Sequence, residues 1–158
     1  MIRLRRPRTD DAEIIRLIKK ELIPLSYTSN PRDAQVIREI PKRLRRGVTF
    51  VASRTKTSVP FGFLHLYTIG DMLVYDMLAV HPDHRGKQLG TKLMLCGEAY
   101  GLSQKCRTAR LFVDEGNGRA HKLYARLGYD TVRYYPEVRC YEMAKMLLPG
   151  GAAWTGGQ

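Results

Sequence analysis

The chain predicts an α+β fold built on a mixed sheet, and three observations carry that reading. Its segments follow one another as β-α-α-β-β-β-α-β-α-β-β. Met72 to Val80 is long and nearly all apolar, as a central strand covered on both faces should be. From Leu78 to Met94 the sequence passes from that strand, through a basic turn relieved by glycines, into an amphipathic helix.

Ile2-Arg3-Leu4-Arg5 alternates apolar and basic residues, as a short strand with one buried face does. Thr9-Asp10-Asp11 supplies a helix start, and Ile14, Ile15, Leu17 and Ile18 give that helix an apolar stripe, with Pro24 beyond its end. Asn30-Pro31 opens a second helix carrying Ala34, Ile37 and Ile40, which Pro41 is expected to kink or restart before Gly47 ends it. Val48–Ala52 and Phe61–Tyr67 are rich in β-formers and flank a polar turn; Gly70-Asp71 closes the second of them. After the central strand, the helix from the basic turn runs to about Gly101. Ala109–Val113 is a strand and Gly118–Leu127 a helix that Gly128 terminates. Thr131–Tyr135 and Cys140–Leu147 read as a closing antiparallel pair around Pro136.

At 158 residues, 44% hydrophobic and 27% charged, the chain has the composition of one soluble globular domain. Residues 1–148 are read as that domain and 149–158 as a Gly/Ala-rich flexible tail containing the single tryptophan, Trp154. No apolar run approaches the roughly 18 residues that span a bilayer. Cys96, Cys106 and Cys140 are scattered, with no C-x-x-C pair and no His at metal spacing, which argues for a reducing cytoplasm and against a zinc site or disulfide framework. The formal charge of +12 attracts polyanions. It is spread along the chain, without a block of like charge or an aromatic-studded RNA-binding signature, and so argues against a nucleic-acid partner.

Chemistry concentrates in two places. The turn His81-Pro82-Asp83-His84-Arg85-Gly86-Lys87-Gln88-Leu89-Gly90-Thr91 sets free backbone N–H groups at a helix N-terminus beside two cations, the means by which proteins hold a pyrophosphate. A phosphate-bearing cofactor is the first expectation. Further on, Asn117, Ala120 and Tyr124 are spaced i, i+3, i+7 along one face of a short helix.

Together these segments resemble the GNAT superfamily of acyl-CoA-dependent N-acetyltransferases. Val80-x-Pro82-x-x-Arg85-Gly86 followed by Gly90 resembles the family's acetyl-CoA pyrophosphate motif, and Asn117-x-x-Ala120-x-x-Leu123-Tyr124-x-x-Leu127-Gly128-Tyr129 its second cofactor motif. The resemblance covers roughly residues 2–147. It implies a single GNAT-like acetyltransferase domain: a central mixed, largely antiparallel sheet flanked by helices on both faces. The sequence departs from the pattern at Gln88, where the family usually has Gly. A side chain is tolerated there if φ is negative and the amide still faces the phosphate.

What the resemblance implies about roles is specific. Backbone amides of Gln88, Leu89, Gly90 and Thr91, with Arg85, Gly86 and Lys87, would hold the pyrophosphate of CoA. Leu78 and Val80 would offer backbone bonds to the pantetheine at the splayed end of their strand, an amide near Leu78 polarising the thioester carbonyl. Asn117 and Ala120 complete the cofactor set. Arg126 is a candidate for the ribose phosphate, though a solvated arginine reads better. Tyr124 is the expected acid that protonates the departing thiolate. For the base, Asp76 stands out as an acid inside an apolar strand, with His65 or a water as alternatives and a structural role at a bulge equally open. His81, His84 and His121 are read as solvent-facing.

The function expected is acetyl transfer from acetyl-CoA to a primary amine, small molecule or peptide, by direct attack in a ternary complex without a metal. The alternative is a non-catalytic acyl-CoA-binding or regulatory module. Strong basicity argues for neutral or acidic amines over polycations, and the resemblance leaves room for a homodimer.

Overall fold

The computed structural model describes residues 1–26 and 34–147. Asn30-Pro31 and the 149–158 tail with Trp154 lie outside the described residues. The strands are β1 (Ile2–Leu4), β2 (Val48–Ser53), β3 (Pro60–Ile69), β4 (Met72–Val80), β5 (Thr108–Asp114), β6 (Asp130–Tyr135) and β7 (Cys140–Met146). They form one seven-stranded sheet in the order β1-β2-β3-β4-β5-β7-β6. Every pairing is antiparallel except β4 with β5.

Helices α1 (Pro7–Leu17) and α2 (Ala34–Arg45) lie on one face, and α3 (Leu89–Ser103) and α4 (Gly118–Arg126) on the other. The two apolar clusters record this division. Ile14, Leu17, Ile40 and Leu44 pack on Val51, Phe63, Met77 and Ala79. Leu93, Met94 and Tyr124 pack on Leu64, Leu66, Leu73 and Tyr75. Burial of such side chains from both layers is the main term holding the sandwich together.

Local differences from the sequence reading have identifiable causes. Helix α1 starts at Pro7, not Thr9, because proline suits the first helical position, where its missing N–H costs nothing. Asp10 is fully buried, accepts the Arg6 N–H at 2.7 Å and takes a bidentate ion pair from Arg3. Beyond Leu17 the coil continues as a π turn, Ile18–Leu22, and a 3-10 turn, Ile23–Leu25, so Pro24 sits inside the helical run. Pro41 lies within α2 without interrupting its assignment. Strand β3 extends past the expected Tyr67 to Ile69 because β4 pairs with it to that end.

Two features of the sheet position the site. His65 pairs with Met77 and Leu66 with Tyr75, which leaves Asp76 as the extra residue of a β-bulge. Above the bulge Leu73 and Tyr75 face α3; below it Met77 and Ala79 face α1 and α2. The parallel ladder between β4 and β5 then stops at Tyr75–Leu111, so the rest of both strands diverges. Helix α3 sits close to the sheet at Gly97 and Gly101. A Cβ on Gly97 would come within 2.7 Å of Tyr75, and one on Gly101 within 2.9 Å of Leu73. The buried Glu98 between them meets Lys145 at 2.7 Å.

Candidate active site

The divergence of β4 and β5 opens onto two cavities, one of about 430 Å³ and one of about 440 Å³. Both are bounded by Leu22, Leu78 and Asn117, so they meet at the splay.

The first cavity is walled by the basic turn, the start of α3 and the inner side of α4. The turn includes a short 3-10 helix, Pro82–His84, capped by His81, whose Nδ1 accepts the Asp83 N–H at 3.1 Å. Gly86 has φ +80, and an added Cβ would meet nothing within 4 Å, so conformation alone calls for glycine there. Gly90 lies close to α4: an added Cβ would come 3.1 Å from Cδ2 of Leu123, which would have to shift slightly. Lys92 is the residue whose N–H first closes the helical ladder, on Gln88 O at 3.0 Å. By helix geometry the N–H groups of Leu89, Gly90 and Thr91 have no carbonyl one turn back and point off the helix end.

Arg85, Gly86, Gln88, Leu89, Gly90 and Thr91 all line this cavity, together with Leu78, Val80, Asn117 and Ala120. Lys87 does not; it is exposed. Arg85 is held by Glu21 of the π turn, 2.5 Å away, an ion pair that ties α1 to the basic turn. Gln88 differs from the condition the sequence reading set: its φ is +59, in the left-handed region, so a residue with a Cβ occupies a conformation glycine adopts at no steric cost. Asn117 caps α4, its Oδ1 accepting the Ala120 N–H at 3.3 Å, which leaves its NH2 to donate.

The second cavity lies on the α1–α2 side of the splay. Asp76 lines it, held by Arg43 of α2 through a bidentate ion pair with contacts of 2.6 and 2.8 Å. Its Oδ2 lies 3.7 Å from Nε2 of His65. His65 is buried, shares a 2.8 Å hydrogen bond with Thr49 Oγ1, and has no hydrogen-bond partner at Nε2. Burial lowers its pKa; the Asp76 charge opposes that shift and the Arg43 charge adds to it. Tyr124 lines the same cavity at 8% exposure, and burial pushes its phenol well above the ordinary range. Its ring packs edge-on to Tyr129.

The structure also brings in residues the sequence reading passed over. The π turn contributes Lys20, Glu21 and Leu22 to the first cavity. A helix's irregular turn leaves no trace in hydrophobic periodicity, so no pattern could have flagged it. His84, read as solvent-facing, is half-buried in the first cavity wall and stacked on Phe61 with centroids 4.1 Å apart. His121 likewise packs on Tyr141 and meets Thr131 Oγ1 at 3.1 Å. Arg126, taken for a solvated arginine, lines the first cavity with Arg119. On the α1–α2 side Asp114 and Phe112 line the second cavity.

A sheet splayed beyond one parallel strand pair, with a helix N-terminus lining the opening, is the arrangement that positions both cavities. The chain belongs to the acetyltransferase (GNAT) family, whose model matches residues 13–129. It is 34% identical over 88 residues to a mycothiol acetyltransferase from Thermobispora bispora, a match covering 51% of this chain. The chain spans only 29% of that relative's length. Among solved structures, a GNAT acetyltransferase from Staphylococcus aureus superposes with a TM-score of 0.74 at 15% identity, covering 94% of this chain and 99% of that one. PaiA N-acetyltransferase from Thermoplasma acidophilum, solved in complex with coenzyme A, superposes with a TM-score of 0.71 at 18% identity, covering 92% and 99%. Ard1 from Thermoplasma volcanium gives 0.70 at 20% identity, covering 94% and 98%. These three share the fold. Among the described residues no helix is long and apolar enough to cross a membrane.

Proposed function

We propose that residues 1–148 form one acetyltransferase domain that moves an acetyl group from acetyl-CoA to a primary amine by direct attack in a ternary complex. The observation that carries this reading is the meeting of two cavities at the splay, the first rimmed by free helix N–H groups and the second containing Tyr124 and Asp76.

The pyrophosphate would lie against the amides of Gln88, Leu89, Gly90 and Thr91, where the helix dipole favours negative charge. Gly86 lets the turn reach it, and Arg85 contributes charge from the cavity wall while paired to Glu21. Past the splay no described residue pairs with β4 on its β5 side, so Leu78 and Val80 can offer backbone bonds to the pantetheine there. The free NH2 of Asn117 would donate to the same arm. A Leu78 amide near the thioester oxygen would stabilise the charge that develops on attack.

The acceptor arrives mostly as an ammonium and must first lose a proton. Asp76, oriented by its Arg43 pair, takes it on the side facing His65 and passes it on to solvent. The amine lone pair attacks the thioester carbon, the C–S bond breaks, and the thiolate takes the proton of Tyr124. The second nitrogen proton leaves as the amide forms and restores the Tyr124 phenol, so the reaction releases amide, free thiol and one proton. Burial keeps Tyr124 a phenol throughout the working pH range, and the same dry surroundings raise the basicity of the departing thiolate.

The test pairs calorimetry with CoA and acetyl-CoA with thiol release across amines, amino acids and peptides. Micromolar binding of CoA with amine-dependent thiol release is expected. Binding without thiol release from any acceptor would leave a non-catalytic acyl-CoA module, and absence of binding would remove the whole assignment.

A further inference from the structure

The charges on the acceptor cavity do not cancel. The described residues that line it include the ionisable pair Arg43 and Asp76, joined to each other, and one further carboxylate, Asp114, the last residue of β5. Asp114 is half-buried, and among the described residues no donor or cation meets its side chain. It stands beyond the last β4–β5 pair, opposite Cys140 of β7 and just before the Asn117 cap. A carboxylate withdrawn from water without a partner is unfavourable, and burial accordingly raises its pKa. Apolar residues of the same wall include Leu22, Ile23, Phe112 and Val138.

We propose that Asp114 selects the acceptor by receiving the ammonium of a primary monoamine whose adjoining body is apolar. This rests on the transferase reading above. Asp114 supplies the single uncompensated negative charge of the described wall, so one cation is matched there and a second would find only a carboxylate already neutralised by Arg43. A polyamine therefore leaves a desolvated charge unpaired, and the cavity discriminates against it by that cost. The apolar walls take the carbon skeleton, and the ammonium is held at Asp114 in the cavity that Tyr124 also lines and that meets the proposed thioester site at the splay.

Steady-state kinetics with 2-phenylethylamine, hexylamine, spermidine and O-benzylhydroxylamine test this, comparing wild type with Asp114→Asn. O-Benzylhydroxylamine is uncharged at neutral pH, so it reports the apolar walls without the anchor. In Asp114→Asn the KM for the two monoamines should rise about 10- to 100-fold, the loss of a charge-assisted hydrogen bond. The KM for O-benzylhydroxylamine and the calorimetric affinity for acetyl-CoA should stay within twofold, and spermidine should be the poorest wild-type acceptor. Equal KM increases for charged and uncharged amines, a fall in kcat with KM unchanged, or spermidine outperforming the monoamines would each overturn the assignment. A wild-type enzyme that releases no thiol with any acceptor would sink the transferase reading as well. Turnover that ignores Asp114 would sink the anchor alone.

Discussion

The two cavities are built by different means. The donor side draws on four short runs, Lys20–Leu25, Leu78–Val80, His84–Thr91 and Asn117–Arg126, and its proposed ligands are mostly backbone amides. The acceptor side gathers Arg43, Tyr67, Asp76, Asp114 and Tyr124 from five separate elements, and its polar contacts are side-chain pairs. Arg43 and Asp76, for example, stand 33 residues apart in the chain. Phosphate recognition by a helix start is a local property, so a short stretch of sequence encodes it. Acceptor recognition depends on which side chains the sheet places opposite one another.

Replacing Tyr124 breaks the comparison most sharply. Tyr124→Phe keeps the ring packed against Tyr129 and removes only the hydroxyl proposed as proton donor. The expected result is a fall in kcat of about 100-fold or more, within the usual range for losing a general acid. Acetyl-CoA affinity should be unchanged by calorimetry, because the phenol lies on the acceptor side. A matching loss of acetyl-CoA binding would mean that the two sides are not separable.

A smaller effect is expected where α1 is tied to the sheet. Burial alone would raise the Asp10 pKa, but the Arg3 hydrogen bonds, the Arg6 amide and the nearby positive charge together bring it below the ordinary carboxylate value. A depressed carboxyl pKa stabilises the fold fully above the unfolded-state pKa near 4, and that contribution is lost as pH falls through the lower folded value. Asp10→Asn should therefore cost about 3 kcal/mol at pH 7, as breaking a buried pair does. In urea melts from pH 7 to 3 the gap between wild type and variant should narrow only below pH 4. A gap independent of pH would assign the loss to packing. The proposed donor site, whose amides do not titrate, should bind CoA with little change over the upper part of that range.

The same contrast explains what could be read from the sequence. The order of elements, the apolar Met72–Val80 strand and the helix after Gly86 were all legible, because periodicity and turn residues act locally. Gly97 and Gly101 gave no such signal, since their value depends on Tyr75 and Leu73 across the sheet. Asp76 was conspicuous as an acid in an apolar strand, yet its bulge and its Arg43 partner depend on the β3–β4 register and on where α2 lies. Asp114 drew no attention because an acid at a strand end is ordinary. What distinguishes it is the lack of a partner, which only three dimensions reveal.

The smallest expected effect concerns Gln88, where the donor side departs from its own family's pattern. With φ at +59, the residue carries a left-handed penalty of about 1 kcal/mol that glycine would avoid. Glycine also gains freedom in the unfolded chain, which offsets much of that relief. Gln88→Gly should therefore shift the thermal midpoint by no more than about 3 °C. The amide after the substitution keeps its place, because Gly86 and the first turn of α3 fix the path on either side. Acetyl-CoA affinity should consequently change less than threefold. A gain of tenfold or more would show that the glutamine side chain, not its backbone, obstructs the phosphate. The donor side would then owe its affinity to side-chain choice as the acceptor side does, and the distinction between the two cavities would fail.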